Sequence, residues 1–356
     1  MNTNQDLGKF ILTFDPEQPH LHYPEMALSA VGITPENLLP TTIPWPANHI
    51  PTAAPLTNIP DPADDLTKFE GYDAVVVTWT AAEAATLARL FTPGYPVSSW
   101  YKYQHNVAAY IPKVTGRKAP FNDRALASYY HTLALYFPCT IGNKKVLLVK
   151  SGLHLDYDGP ATPVKTLMAE IAAAVKPKVF VTTGTGGAIG ADVLLGDVVI
   201  ATETRFNCAS QFKNEPWKAA SYKTSPLPPN VLGSITDDLV KVNAARIPMG
   251  RQIPKMWTDQ NAVIVTTDFF AYDDSTDHYH LQGSGRACDM GDAMVAQALA
   301  GFPDIKFFAI RNASDPQIPN PDGNMHEAGA QSGKIYTKYG ALTTAASVIA
   351  TWAVIH

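Results

Sequence analysis

From residue 72 onward, short β-branched runs alternate with stretches of helical periodicity. The run "YDAVVVTWT" (72–80) predicts a buried strand, and "AAEAATLARLF" (81–91) a helix with Ala84, Leu87, Ala88 and Phe91 on one face. The pattern repeats in "KKVLLVKSG" as a strand and "PVKTLMAEIAAAV" as a helix, with Val164, Leu167, Met168, Ile171 and Val175 in phase. Four more strands are expected in "KVFVTTG", "GDVVIATET", "AVIVTTD" and "IKFFAIRNASD". Helices are expected over "DMGDAMVAQALAGF" and "YGALTTAASVIATWAVI". Strands alternating with helices predict an α/β fold, its sheet covered on both faces.

Two regions break the rhythm. Residues 1–70 carry 11 of the 29 prolines, which argues against long helices there. Phe10, Ile11, Leu12, Phe14 and Trp45 give that segment enough apolar content to pack on the body as an N-terminal extension. Residues 92–144, with "SSWYKYQHNVAAYIP" and "ASYYHTLALYF", read as an irregular, aromatic-rich insertion. It would interrupt a single catalytic domain over 71–356. There is no internal repeat and no second independent domain.

Composition narrows the function classes. The 356 residues, 46% hydrophobic and 17% charged, suffice for one large core or two modest ones. A net charge of -5 without a basic run gives no footprint for nucleic acid or an anionic membrane. No apolar run reaches the length of a membrane span. Cys139, Cys208 and Cys288 are odd in number, widely spaced and without a CxxC pair, which points to free thiols in a reducing compartment. The N-terminus lacks the basic and apolar regions of a signal peptide, so a cytoplasmic location is expected.

The densest glycine cluster is "TTGTGGAIGADVLLGDVVI". A dinucleotide fingerprint starting at Gly184 and Gly186 would need a third glycine where Ile189 stands, and a P-loop would need a lysine the stretch lacks. Neither phosphate motif is present.

Five stretches in chain order resemble the nucleoside phosphorylase superfamily, and most closely its methylthioadenosine/S-adenosylhomocysteine nucleosidase branch. They are "VVVTWTAAEAATLARLF", "VLLVKSGLH", "TTGTGGAIGADVLLGDVVIATETRF", "TTDFFA" and the pair "DMGDAMVAQA" with "FFAIRNASDP". The resemblance covers roughly residues 72–352. It implies a three-layer α/β/α sandwich around a mixed sheet, homo-oligomeric assembly and cleavage of the N-glycosidic bond of a nucleoside. That bond breaks through an oxocarbenium-like sugar, so the departing base must be neutralised and a nucleophile presented to C1′.

By the same resemblance, Asp315 in "RNASDP" protonates or hydrogen-bonds N7 of a purine, with Ser314 and Arg311 beside it. Ser314-Asp315-Pro316 also fits an ordinary turn or helix start. Glu83 corresponds to the glutamate that activates water, with Thr185 beside the water and backbone at Gly184 and Gly186 positioning it. Thr80-Ala-Ala-Glu83 is equally a capping box, and the two readings stand level. Phe270, or Phe269 next to it, is expected to stack on the base, and Met290 to pack under the sugar.

One position departs from the family pattern. Where the family has a second glutamate that grips ribose hydroxyls, this chain has Gly291, flanked by Asp289 and Asp292. On a helix both would point about 100° away. A deoxy or otherwise modified sugar therefore stays open, as does a lost activity.

A carboxylate early in the helix suits water better than phosphate, which favours a purine nucleosidase. The alternatives are a phosphate-dependent phosphorylase, using Arg205, Lys150, His154 or a neighbouring subunit's arginine, and a non-catalytic nucleoside-binding protein. A scaffold whose extension recruits a partner is a weaker third. The chemistry needs no metal or cofactor, and His278 and His280 read as parts of an exposed polar loop. The aromatics of 92–144 are expected to help wall the pocket.

Overall fold

The computed structural model describes residues 4–22, 33–115, 132–155 and 159–356. Part of the aromatic segment over 92–144 therefore lies outside the described residues. The main strands are β1 (Ala74–Thr78), β2 (Ala134–Ile141), β3 (Lys144–Ser151), β4 (Val179–Ala188), β5 (Val198–Ile200), β6 (Glu203–Asn207), β7 (Val263–Thr267), β8 (Ala287–Asp289) and β9 (Lys306–Asp315). The main helices are α1 (Asn4–Thr13), α2 (Ala81–Phe91), α3 (Pro163–Val175), α4 (Asp237–Ala244), α5 (Asp292–Leu299) and α6 (Met325–Ile355).

The strands form one mixed sheet. β1 runs parallel to β3 and β4, β9 runs parallel to β4, and β2 lies antiparallel to β3. Beyond the end of β1, β8 joins the far end of β4 in antiparallel register, and β7 and β6 follow parallel to it. Side-chain alternation sorts the two faces. Val75, Val77 and Phe180 pack with α3 and α5, while Ala74, Val76 and Val181 pack with α2, α4 and α6. Every strand residue of β1 is buried, so "AVVVT" reads as a continuous apolar run ending in a buried threonine. The result is a three-layer α/β/α sandwich. α6, 31 residues long, is buried on most of its circumference. Among the described residues, no helix is long and apolar enough to cross a membrane.

Three local expectations change. Residues 134–141, inside the stretch read as irregular, form β2, whose tyrosine, phenylalanine, threonine and isoleucine side chains suit a pleated surface. The proline-rich extension nonetheless begins with a ten-residue helix, α1, because its first proline is Pro16. The glycine stretch is no loop as far as Ala188, since β4 carries on through Gly184, Gly186 and Gly187. The three cysteines are buried free thiols.

Candidate active site

The ends of β1, β4, β7, β8 and β9 meet at a cleft of about 840 Å³, counted to its open mouth. Open α/β sheets bind ligands in such places, beyond the strand ends where the strand order switches.

β4 outruns β1, whose pairing with it stops at Thr182. The backbone N–H of Thr185 donates instead to Glu83, in the first turn of α2. Glu83 Oε1 accepts from Thr185 N and Thr185 Oγ1, each at 2.7 Å. Its Oε2 accepts from Thr78 Oγ1 at 2.6 Å and from the N–H groups of Trp79 and Thr80 at 2.9 Å. Thr80 Oγ1 in turn accepts from Glu83 N, which closes the capping box. Glu83 is thus both the helix cap and a wall of the cleft. Burial favours its neutral acid, but Arg311 and the hydroxyl and amide donors outweigh burial and hold the carboxyl below its usual range.

Arg311, on β9, joins the acids around it. Its Nε donates to Asp292 Oδ2 at 2.9 Å and its Nη2 to Asp292 Oδ1. Nη2 lies 3.3 Å from Asp289 Oδ2, and Nη1 lies 3.7 Å from Glu83 Oε1. Burial alone would lower the pKa of the guanidinium, but Asp292, Asp289 and Glu83 push it well up. One cation therefore sits among three carboxylates. Burial and the neighbouring Asp292 raise the Asp289 pKa, while Arg311 opposes them.

Asp315 ends β9 just past a register shift between Ala313 and Asp315, the kind of bulge that re-aims a side chain. Ser314 Oγ lies 3.0 Å from Asp315 Oδ1 and 3.2 Å from Gly186 O, and Ser332 Oγ donates to Oδ2 at 3.3 Å. Burial pushes the Asp315 carboxyl up to about 7, with the two serine hydroxyls pulling the other way. The Ser314 proton can serve either Gly186 O or Oδ1, so the arrangement accommodates both protonation states. Asp315 pairs in register with Gly187, two residues beyond Thr185 on the same face of β4. Two residues along a strand span about 7 Å, so Glu83 and Asp315 meet β4 at positions about that far apart along it.

The cleft brings together most residues singled out from sequence: Asp315, Glu83, Thr185, Gly186, Phe270, Met290, Asp289, Arg311 and Ser314 all line it. Phe269 does not. It packs on Tyr279 with ring centroids 5.3 Å apart, leaving Phe270 at the cleft. Asp292 is fully buried behind the cleft on Arg311. The helix begins at Asp292, not Asp289, with Gly291 as its N-cap. Asp289 instead ends β8, and its Oδ2 accepts from the N–H of Gly291 at 3.0 Å and of Asp292 at 2.8 Å. A helical phase between residues 289 and 291 therefore does not apply.

Gly184 is not exposed to the cleft, because protein fills the space it leaves. A Cβ there would stand 2.3 Å from the Glu83 carboxyl carbon, and φ is +147°. At Gly186 a Cβ would stand 2.8 Å from Cys288 O. These glycines make room for Glu83 and for β8, and Gly186 also lines the cleft. Gly184→Ala should therefore destabilise the fold by about 1–3 kcal/mol through strain and clash. Gly233→Ala, where a Cβ meets nothing within 4 Å, should be near neutral in the same urea titration.

The described part of 92–144 contributes nothing to the cleft, contrary to the sequence reading. That wall comes from α1, through Gly8, Ile11 and Leu12. Gly8 lets the helix approach Phe270, whose Cβ would lie 3.2 Å from an added methyl. Trp79 and Tyr336 also line the cleft and went unremarked in the sequence. Ser332 and Tyr336, four apart on α6, share a helix face, a spacing that signals it only once the helix is placed. Of the candidate phosphate ligands, Arg205 lies outside the cleft and pairs with Glu203 at 2.9 Å. Lys150 is buried outside the lining, and His154 is part of it. Among the described residues, no cluster of His, Cys, Asp and Glu could hold a metal ion.

Residues 76–341 match the sequence pattern of the phosphorylase superfamily, and the chain belongs to that superfamily. Among solved structures, it is similar to the Colwellia psychrerythraea 5′-methylthioadenosine/S-adenosylhomocysteine nucleosidase in complex with adenine. That match has 17% identity over 81% of this chain and 97% of that one, with a TM-score of 0.48. The Helicobacter pylori 5′-methylthioadenosine/S-adenosylhomocysteine nucleosidase is similar at 15% identity, 78% and 97% coverage and a TM-score of 0.46. The Helicobacter pylori futalosine hydrolase is similar at 13% identity, 80% and 97% coverage and a TM-score of 0.45. No curated protein matches the chain.

Proposed function

We propose that the protein is a purine nucleosidase that hydrolyses the N-glycosidic bond to free base and sugar. The observation that carries this reading is Asp315, a buried carboxyl whose pKa stands at about 7, across the same cleft from the Glu83–Arg311 cluster. A carboxyl in that range keeps its proton near neutrality and can give it to N7 of the departing base. Phe270 stacks on the base and Met290 packs beneath the sugar.

At the other end, Glu83, Asp292 and Asp289, the last with its carboxyl pushed up to about 7, surround one arginine, so the cluster gains net negative charge beside the sugar as Asp289 ionises. Fixed charge of that sign favours an oxocarbenium-like transition state. Glu83, with five donors already on it, is a weak base. It needs to be no stronger, because a water that has begun to bond to cationic C1′ becomes strongly acidic and releases its proton to a carboxylate readily. Thr185 Oγ1 gives its proton to Glu83 and keeps lone pairs of its own, so it accepts from that water and relays the proton to the carboxylate.

The same charge disfavours phosphate. Arg311, the guanidinium of the cleft, is already engaged by Asp292, Asp289 and Glu83, and an incoming dianion would face uncompensated acids. Incubation with adenosine, guanosine, inosine and their 2′-deoxy counterparts should release base equally fast with and without inorganic phosphate. Strict dependence on phosphate, with sugar 1-phosphate as product, would make the protein a phosphorylase instead.

A further inference from the structure

The proposed hydrolysis needs a water held at the Glu83 end of the cleft, and three hydroxyl groups gather there. Thr80, Thr185 and Tyr336 all line the cleft, each threonine 8% exposed. Thr185 Oγ1 gives its proton to Glu83 Oε1 at 2.7 Å. A carboxylate held below its usual range returns none, so Thr185 meets the cleft as an acceptor. Thr80 Oγ1 is arranged the opposite way. It accepts from Glu83 N at 3.1 Å and from Tyr336 Oη at 2.9 Å, which uses both of its lone pairs. Thr80 therefore meets the cleft as a donor. Position 291 adds no polar side chain at this end, because a Cβ there would stand 2.9 Å from Trp79 Cζ2.

The polarity of Thr80 is set by Tyr336. Burial and the nearby Glu83 raise the phenol's pKa, while the Thr80 and Thr185 hydroxyls pull it down. The phenol thus keeps its proton at any working pH and stays a donor. Its ring is pinned among Leu7 and Ile11 of α1 and Ala82 and Ala85 of α2. Gly340, one turn on, leaves it room, since a Cβ there would stand 3.1 Å from the ring. One turn earlier, Ser332 donates to Asp315 Oδ2 at 3.3 Å. Four helical residues rise about 6 Å, close to the spacing of the two contacts along β4. A single face of α6 therefore serves the acid at one end and the hydroxyls at the other.

We infer that Tyr336 is a positioning residue of the hydrolytic step, acting through Thr80 to hold the attacking water. The inference rests on the proposed hydrolase reading. The water accepts the Thr80 proton on one lone pair and donates a proton to Thr185 Oγ1, which leaves its other lone pair for C1′. As the bond from C1′ to the base breaks, its electron pair leaves with the base, which takes the Asp315 proton at N7. The water oxygen bonds to C1′, and its proton passes to Thr185 as the proton of Thr185 passes to Glu83. Tyr336 and Thr80 keep their own protons throughout.

Tyr336→Phe keeps the ring and removes only the hydroxyl. For the nucleoside hydrolysed fastest, it should lower kcat about 5–50-fold, the range expected when one hydrogen bond around the reacting water is lost. Competitive inhibition by the 7-deaza analogue of that nucleoside should stay within twofold, because the ligand's own contacts are intact. Thr80→Ser keeps the hydroxyl and the helix cap, so Tyr336→Phe should cost the same factor in that background. In Thr80→Val, which lacks the hydroxyl, adding Tyr336→Phe should slow kcat no more than about twofold further. An unchanged kcat in Tyr336→Phe, or a loss of rate matched by an equal loss of inhibitor binding, overturns the positioning role while hydrolysis stands. So does a full additional loss in the Thr80→Val background. No base release from any ribo- or deoxynucleoside by the wild type overturns the hydrolase reading, and the positioning role falls with it.

Discussion

Asp315→Asn should lower kcat by about 10²–10⁴-fold, the usual contribution of a positioned general acid. The asparagine keeps the size of the side chain and can still touch Ser314 and Ser332, so the fold should survive. What is lost is a transferable proton. The pH profile gives an independent readout. The acid form is the active one, and its pKa of about 7 follows from burial. kcat/KM should therefore be flat at low pH and fall tenfold per unit once pH rises past about 7. The Asn variant should lose that limb while keeping its residual rate. A falling limb that persists unchanged in Asp315→Asn would assign the titration to another group.

Arg311→Met should cost about 3–5 kcal/mol of stability, because it strands Glu83, Asp289 and Asp292 without their shared cation in a dry interior. The pH trend separates this cause from simple loss of packing. In the wild type, Glu83 titrates below its unfolded value, so its contribution is present above about pH 4.5 and is lost as pH falls through the lowered folded value. In the variant, stranded carboxyls titrate above their unfolded values. The folded state then binds more protons than the unfolded state, and the deficit should shrink as pH falls from 8 to 5. Urea midpoints at several pH values read this directly. A deficit that does not change with pH would mean the arginine acts by packing alone. Arg311→Lys should fall between the two, because an ammonium cannot bridge both Asp292 oxygens as the guanidinium fork does.

The layered fold was legible wherever a run was long and its period clear, as in "AVVVT" and the helix from Ala81. The acids of the cleft were legible because each lies at a strand end or in a first helical turn, beside a recurring local motif. Glu83 also shows why a local signal need not exclude a functional one: the capping box fixes the carboxylate that Thr185 then meets. What local pattern could not supply was contact between distant segments. Gly184 looks like a flexible loop residue until Glu83, 101 positions earlier, is seen in the space of its missing Cβ. Gly291 looks like a lost ligand until Trp79, 212 positions earlier, is seen filling the gap. α1 was hidden in a segment whose prolines begin only at Pro16, and nothing in ten amphipathic residues says which wall they will complete.

The central claim is that a proton held by Asp315 is delivered to N7 of a departing purine. It is tested most directly by comparing 2′-deoxyadenosine with 7-deaza-2′-deoxyadenosine in the wild type and in Asp315→Asn under single-turnover conditions. Replacing N7 by carbon should slow base release at least 10²-fold in the wild type, yet change the Asn variant no more than about threefold, because atom and acid act as one unit. Comparable wild-type release from both nucleosides, or an undiminished N7 effect in the variant, would contradict the account.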